Sequence, residues 1–137
     1  MNIYKHHAPK FLDKGYSVIP DRGGQKLPAI TGWSKYCDQV PTQEEFNGWS
    51  EALPNTNISV CLGEASGIVA LDLDCTDDTI IELINHMLPP SPVEKKGTKG
   101  WTRFYKYLPG QRTELVKHNG EVVIELLSTG KKTTIPP

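Results

Sequence analysis

Three cysteines among 137 residues, none of them in a Cys-x-x-Cys pair, provide neither a disulfide framework nor a structural zinc ribbon. Cys61 and Cys75 read as small apolar core residues. Charge of one sign is not in excess either: fifteen Lys and Arg stand against sixteen Asp and Glu, a formal charge of -1. That excludes a bulk basic field of the kind that binds nucleic acid by charge alone, so any such contact must be local. No apolar run reaches the length of a membrane span, and residues 1–7 hold no signal-peptide core, so a soluble, reducing, cytoplasmic setting without membrane contact is expected. Repeats, low-complexity segments and internal linkers are missing too. The length suits one domain with a hydrophobic core, spanning residues 1–137. The chain stops at Thr134-Ile135-Pro136-Pro137 just as a strand is finishing, which suggests an excised or truncated N-terminal part of something longer.

What is there alternates between helix and strand signals. Tyr4, Ala8, Phe11 and Leu12 recur at spacings of three and four, predicting a helix over residues 4–14 closed by Gly15. Residues 16–20 read as a strand, and residues 21–35, with Gly23, Gly24, Pro28 and Gly32, as a long loop. Thr42-Gln43-Glu44-Glu45 is a capping box that opens a second helix running to about Leu53. Residues 57–61 and 68–74 predict a β-hairpin of neighbouring strands. Thr76 is the expected cap of a third helix whose broad apolar side comprises Ile80, Ile81, Leu83, Ile84 and Met87. Strands are predicted over residues 101–108, 122–127 and 133–135, making about three helices and six strands. The class is α+β, a mostly antiparallel sheet with helices packed on one face.

The run Ile68-Val69-Ala70-Leu71-Asp72-Leu73-Asp74 carries the most chemistry. Period-two alternation puts Asp72 and Asp74 on one face of a strand and Val69, Leu71 and Leu73 on the other. Their Cα atoms would lie roughly 6.5–7 Å apart, a separation that lets both carboxylates reach one hard cation. A strand-terminal turn acid beside a lysine-paired Asp72 is the plainer alternative. In Glu121-Val122-Val123-Ile124-Glu125-Leu126-Leu127 the same alternation sets Glu121, Val123 and Glu125 on one face, so Glu125 is the candidate third acid, with an exposed salt bridge as its competitor. Oxygen-only ligands suit Mg²⁺ or Mn²⁺ rather than zinc. Between these acids, the stretch from Glu94 to Lys106 interleaves lysines and glycines that suit phosphate, and Trp101, Phe104 or Tyr105 could stack on a base. It contains no Walker A pattern and, standing alone, reads as a solvated basic turn.

Taken together, the ordered series resembles the bifunctional primase-polymerase domain of the archaeo-eukaryotic primase superfamily, in the form found at the N-terminus of phage and plasmid replication proteins. The series comprises an N-terminal helix, Gly15-Tyr16-Ser17-Val18-Ile19-Pro20, Lys26-Leu27-Pro28, Gly32-Trp33, Trp49, Asn57-Ile58-Ser59-Val60, Leu62-Gly63 and residues 66–74. It closes with Glu125-Leu126-Leu127-Ser128-Thr129-Gly130 and residues 131–137. The resemblance implies an RRM-like sheet and a DNA primase/polymerase acting in a bacterial or phage-infected cell. Asp72, Asp74 and Glu125 would be its catalytic, metal-binding acids. The chain departs from the family where a histidine usually meets the nucleotide's phosphates, since Thr102 stands there within Lys99-Gly100-Trp101-Thr102-Arg103-Phe104. Lys99, Thr102 and Arg103 are then the expected nucleotide-binding residues. His6, His7, His86 and His118 read as ordinary helix or turn residues.

The implied partners are nucleoside triphosphates, a single-stranded DNA template and a helicase region that this chain does not contain. The implied reaction is attack of a 3′-hydroxyl on an α-phosphate, with pyrophosphate leaving. Two other readings stand beside it: a non-catalytic nucleic-acid-binding module of the same fold, and a different metal-dependent phosphotransferase or nuclease on the same acids.

Overall fold

Aromatic packing organises the first half of the chain. Helix α1 (Ile3–Leu12) buries Tyr4 and Ala8 one turn apart. The Tyr4 ring lies 5.7 Å from Phe46 and 6.4 Å from Trp49 of helix α2 (Gln43–Ala52), and Trp49 meets Tyr36 edge-on at 5.2 Å. Tyr36 belongs to a short 3₁₀ helix (Trp33–Cys37) that straddles the end of the loop expected over residues 21–35. The capping box forms as expected, Thr42 accepting from Glu45 N while Glu45 accepts from Thr42 N. The computed structural model describes residues 2–22, 28–97 and 99–136, so Met1, Gly23, Gly24, Gln25, Lys26, Leu27, Thr98 and Pro137 lie outside the described residues.

The strands divide into two sheets, and every pairing between them is antiparallel. The smaller has the order β1-β2-β8, from β1 (Val18–Asp21), β2 (Asn57–Cys61) and β8 (Lys132–Ile135). The larger has the order β4-β5-β3-β7-β6. Its members are β3 (Ile68–Asp74), β4 (Glu94–Lys96), β5 (Gly100–Lys106), β6 (Glu114–His118) and β7 (Glu121–Leu127). The class is α+β, as expected.

The predicted hairpin is not formed. Strand β2 sits between β1 and β8, β3 sits between β5 and β7, and only an isolated Gly63–Ile68 bridge joins the two segments. Gly63 turns the chain from one sheet to the other at φ +110°, and a side chain there would run into Thr129. Two strands were not foreseen, β4 and β6, both at edges of the larger sheet and both dominated by charged or exposed residues. Helix α3 (Asp78–Met87) is capped by Asp77, not Thr76: Asp77 Oδ1 accepts from Thr79 N at 2.9 Å and Ile80 N at 3.2 Å. Its apolar side is only half-covered, with Ile80, Ile81 and Ile84 partly buried and Leu83 and Met87 facing solvent. Cys61 is fully buried as expected, whereas Cys75 is half-exposed beyond the end of β3.

One buried cluster joins the sheets. It contains Tyr4 and Ala8 of α1, Val18, Ile58, Val60 and Leu62 of the smaller-sheet segment, and Ala70 of β3, with Ile68, Phe104, Leu127 and Ile135 against it. Complete burial of Ile58 and Leu62 contributes about 1.5–3 kcal/mol each. On the opposite face of the smaller sheet, Ile19 and Cys61 pack with Tyr36 and Cys37. There the buried Asp21 accepts from Ser59 Oγ, Thr134 Oγ1 (2.8 Å) and Lys132 Nζ (3.2 Å).

Burial, reinforced by the hydrogen bond to Glu45, holds the Tyr36 hydroxyl above the usual tyrosine pKa, and burial does the same for Tyr4. A raised folded-state pKa contributes stability that is present below the unfolded value of about 10 and is lost as pH rises above it. Chemical denaturation from pH 8 upward is expected to show stability falling beyond about pH 10. Tyr36→Phe should flatten that fall while costing about 1 kcal/mol at neutral pH.

Candidate active site

Strand β3 lies at the centre of the larger sheet, so both its neighbours present residues beside each of its side chains. Asp72 is directly opposite Thr102 of β5 on one side and Glu125 of β7 on the other. Opposed residues in antiparallel strands share a face, with Cβ atoms about 4.5–5.5 Å apart. Thr102 in turn stands opposite Lys95 of β4. A single row therefore crosses four strands, Lys95–Thr102–Asp72–Glu125, and Asp74 lies two residues further along the same face, opposite Gly100.

This face begins as core. Ile68 and Ala70, on the same side of β3 as the acids, pack into the intersheet cluster, and the acids emerge where that cluster ends. Asp72 and Glu125 are half-buried and Asp74 is exposed. Thr102 is buried, and its Oγ1 donates to Asp72 Oδ1. No salt bridge reaches Asp72, Asp74 or Glu125 among the described residues, so the lysine-paired alternatives are not realised there. A cleft of about 210 Å³ opens beside them, lined by Asp72, Asp74, Lys95, Lys99 and Thr102 together with glycines and the β5 start. None of its lining residues is a histidine.

Lys99 lines this cleft. Arg103 does not: as the residue after Thr102 in a strand it points to the opposite face, where its Nε pairs with Glu94 at 2.8 Å and its guanidinium covers Trp101 at 3.8 Å. The expected base-stacking residues are also committed elsewhere. Trp101 is buried under Arg103, Phe104 packs into the core, and Tyr105 donates to Pro89 O at 2.9 Å. Lys95 is the residue that sequence reasoning left out. Its only signal was membership in the basic stretch, because a three-residue, all-charged strand carries no alternation to read.

The family model described as "Bifunctional DNA primase/polymerase, N-terminal" matches residues 8–137. The chain belongs to this family. No curated protein matches the sequence. A primase/polymerase-family function follows, and the observed register places Thr102 directly beside Asp72.

The donor set of this primase/polymerase domain fits a hard divalent cation in kind: three carboxylates on one face, without lysine partners among the described residues. As the side chains stand they do not converge. Among the described residues no three acidic, histidine or cysteine side chains form a group that could hold an ion. The half-buried and exposed carboxylates would have to rotate toward a common point.

Gly100 keeps β5 close to β3 at the cleft. A Cβ there would collide with the Leu73 carbonyl oxygen and carbon, which are backbone atoms that no rotamer change can move aside. Gly100→Ala is expected to cost about 1–3 kcal/mol in a denaturant melt through overpacking. Gly97→Ala, whose Cβ would find its nearest atom at 3.9 Å, should cost far less.

Proposed function

We propose that this domain is a metal-dependent, template-directed nucleotidyltransferase of a phage- or plasmid-type replication protein, using Asp72, Asp74 and Glu125 for Mg²⁺ or Mn²⁺, with Thr102 holding Asp72 and Lys99 on the nucleotide side. The observation that carries the reading is the direct opposition of Asp72 and Glu125 on neighbouring strands, on a face where no lysine neutralises them among the described residues. Two acids lining a cleft with two lysines, and a third opposite Asp72 on the next strand, suit a triphosphate better than a purely structural role, because half-buried carboxylates without ion pairs, such as Asp72 and Glu125, cost stability.

In this reading the 3′-hydroxyl of a growing strand attacks the α-phosphate. A new P–O bond forms, the bond between the α-phosphorus and the bridging oxygen breaks, and pyrophosphate departs. Bound Mg²⁺ or Mn²⁺ supplies charge neutralisation for the triphosphate and acidifies the attacking hydroxyl. The chain's own contribution is position. Thr102 fixes one oxygen of Asp72, the β3–β7 ladder holds Glu125 opposite it, and Lys99 offers a charged donor to phosphate oxygens. The cleft is smaller than the roughly 300–1,000 Å³ typical of pockets that enclose a whole ligand. It suits the phosphate end, leaving the base outside to meet a single-stranded template.

Calorimetric titration of a deoxynucleoside triphosphate, with and without Mn²⁺, tests the reading. Binding is expected only with the metal, and Asp72→Ala/Asp74→Ala should abolish it in a protein that still folds. Metal-independent binding, or binding unchanged in the double variant, would sink the assignment. Thr102→Val keeps the side-chain shape and removes the donor, so it should fold normally and bind the metal–triphosphate pair several-fold more weakly, a loss of about 1 kcal/mol. The second reading, a non-catalytic nucleic-acid-binding module, is favoured by the lack of convergence among the carboxylates within the described residues. Single-stranded DNA binding without any Mn²⁺-dependent triphosphate binding would mark it.

A further inference from the structure

Two cations are already neutralised. Arg103 pairs with Glu94 on the far face, and Lys132 pairs with the buried Asp21 behind β8. Lys95 is different. It occupies the row that contains Thr102, Asp72 and Glu125 and lines the cleft with Asp72 and Asp74, yet it makes no salt bridge among the described residues. Its Nζ instead donates to Thr134 O at 2.7 Å and Thr133 Oγ1 at 3.2 Å. Both acceptors are neutral and both belong to β8, in the other sheet.

An ammonium has three donors, and β8 engages two of them. Lys95 is half-buried, so its charge is partly desolvated without a counter-ion to compensate. Neutral acceptors hold the ammonium in place without cancelling its charge. They also keep it from collapsing onto Asp72, which lies two strands away, about 9–10 Å between strand axes. The cation stays available, and the carboxylates stay free.

We propose that Lys95 is a triphosphate-binding residue of this site, presented by β8 so that its free donor meets the β- and γ-phosphate oxygens of the incoming nucleotide. The assignment rests on the nucleotidyltransferase reading above. It gives the site two cleft-lining cations, Lys95 and Lys99, at the place where Thr102 offers only a short hydroxyl. Specificity for the triphosphate tail follows, because a nucleoside monophosphate has no β- or γ-phosphate for Lys95 to engage.

The experiment is Mn²⁺-dependent calorimetry of a deoxynucleoside triphosphate and its monophosphate against wild type, Lys95→Met and Thr133→Val, after the melting temperature of each has been recorded. Lys95→Met should weaken the triphosphate about tenfold or more and leave the monophosphate unchanged, as loss of one charge-assisted contact requires. Thr133→Val preserves the lysine and the β-branched strand residue but loosens its support. It should weaken only the triphosphate, by a few-fold, and it decides the matter if Lys95→Met does not fold. Equal loss for both ligands would assign Lys95 a structural role, and triphosphate binding unchanged in a folded Lys95→Met would overturn the proposal while leaving the acid site standing. A wild type that binds no triphosphate with Mn²⁺ removes the underlying reading and this assignment with it.

Discussion

The site depends on β3 being hydrogen-bonded along both edges while one of its faces is shared between core and solvent. Ile68 and Ala70 are held in the intersheet cluster, and period-two alternation then delivers Asp72 and Asp74 on the same side. The buried half of the face anchors the strand, so the acids cannot retreat from each other by shifting the backbone. A one-residue slip of β3 would bury both carboxylates' neighbours wrongly and expel Ile68 and Ala70 from the core, so the apolar half also fixes the register of the acidic half. Packing and chemistry are thus set by one strand.

Charge is partitioned around that strand with similar economy. The far face of β5 takes Arg103 into a pair with Glu94, stacked on Trp101, and the smaller sheet takes Lys132 into its buried pair with Asp21. Both cations are neutralised by these pairings. A chain with almost equal numbers of acidic and basic residues thereby keeps a local acidic row beside two cleft-lining lysines, a pattern invisible in a net charge of -1.

Much of this was legible in the sequence, and the failures have physical causes. The Asp72–Asp74 face and the Glu125 face follow from alternation within single strands, a local property, and the observed register sets them side by side. The hairpin between β2 and β3 failed because a short glycine-bearing connection constrains the path of the chain but not its partner. Both edges of β3 were claimed by strands distant in sequence, and β2 found β1 and β8. Strands β4 and β6 escaped notice because edge strands tolerate charge and exposure, which erases the apolar pattern that marks a strand. Arg103 was avoidable: it follows Thr102 within a predicted strand, and parity alone sends the two to opposite faces. Lys95 was not, since its role comes from contacts with β8, far away in the chain.

Thr102, directly opposite Asp72, gains a physical meaning from this arrangement. Its hydroxyl is buried and spent on Asp72, so it serves the acid and has no length left to reach a phosphate beyond it. Two lysines line the same cleft, one across the ladder on β4 and one at the turn before β5. Because a lysine side chain is long and conformationally free, it needs external support to act as a fixed donor, and β8 provides that support to Lys95 through two neutral oxygens. The Thr102–Asp72 bond within one sheet and the Lys95 contact between sheets thus fix an acid and a cation beside one cleft.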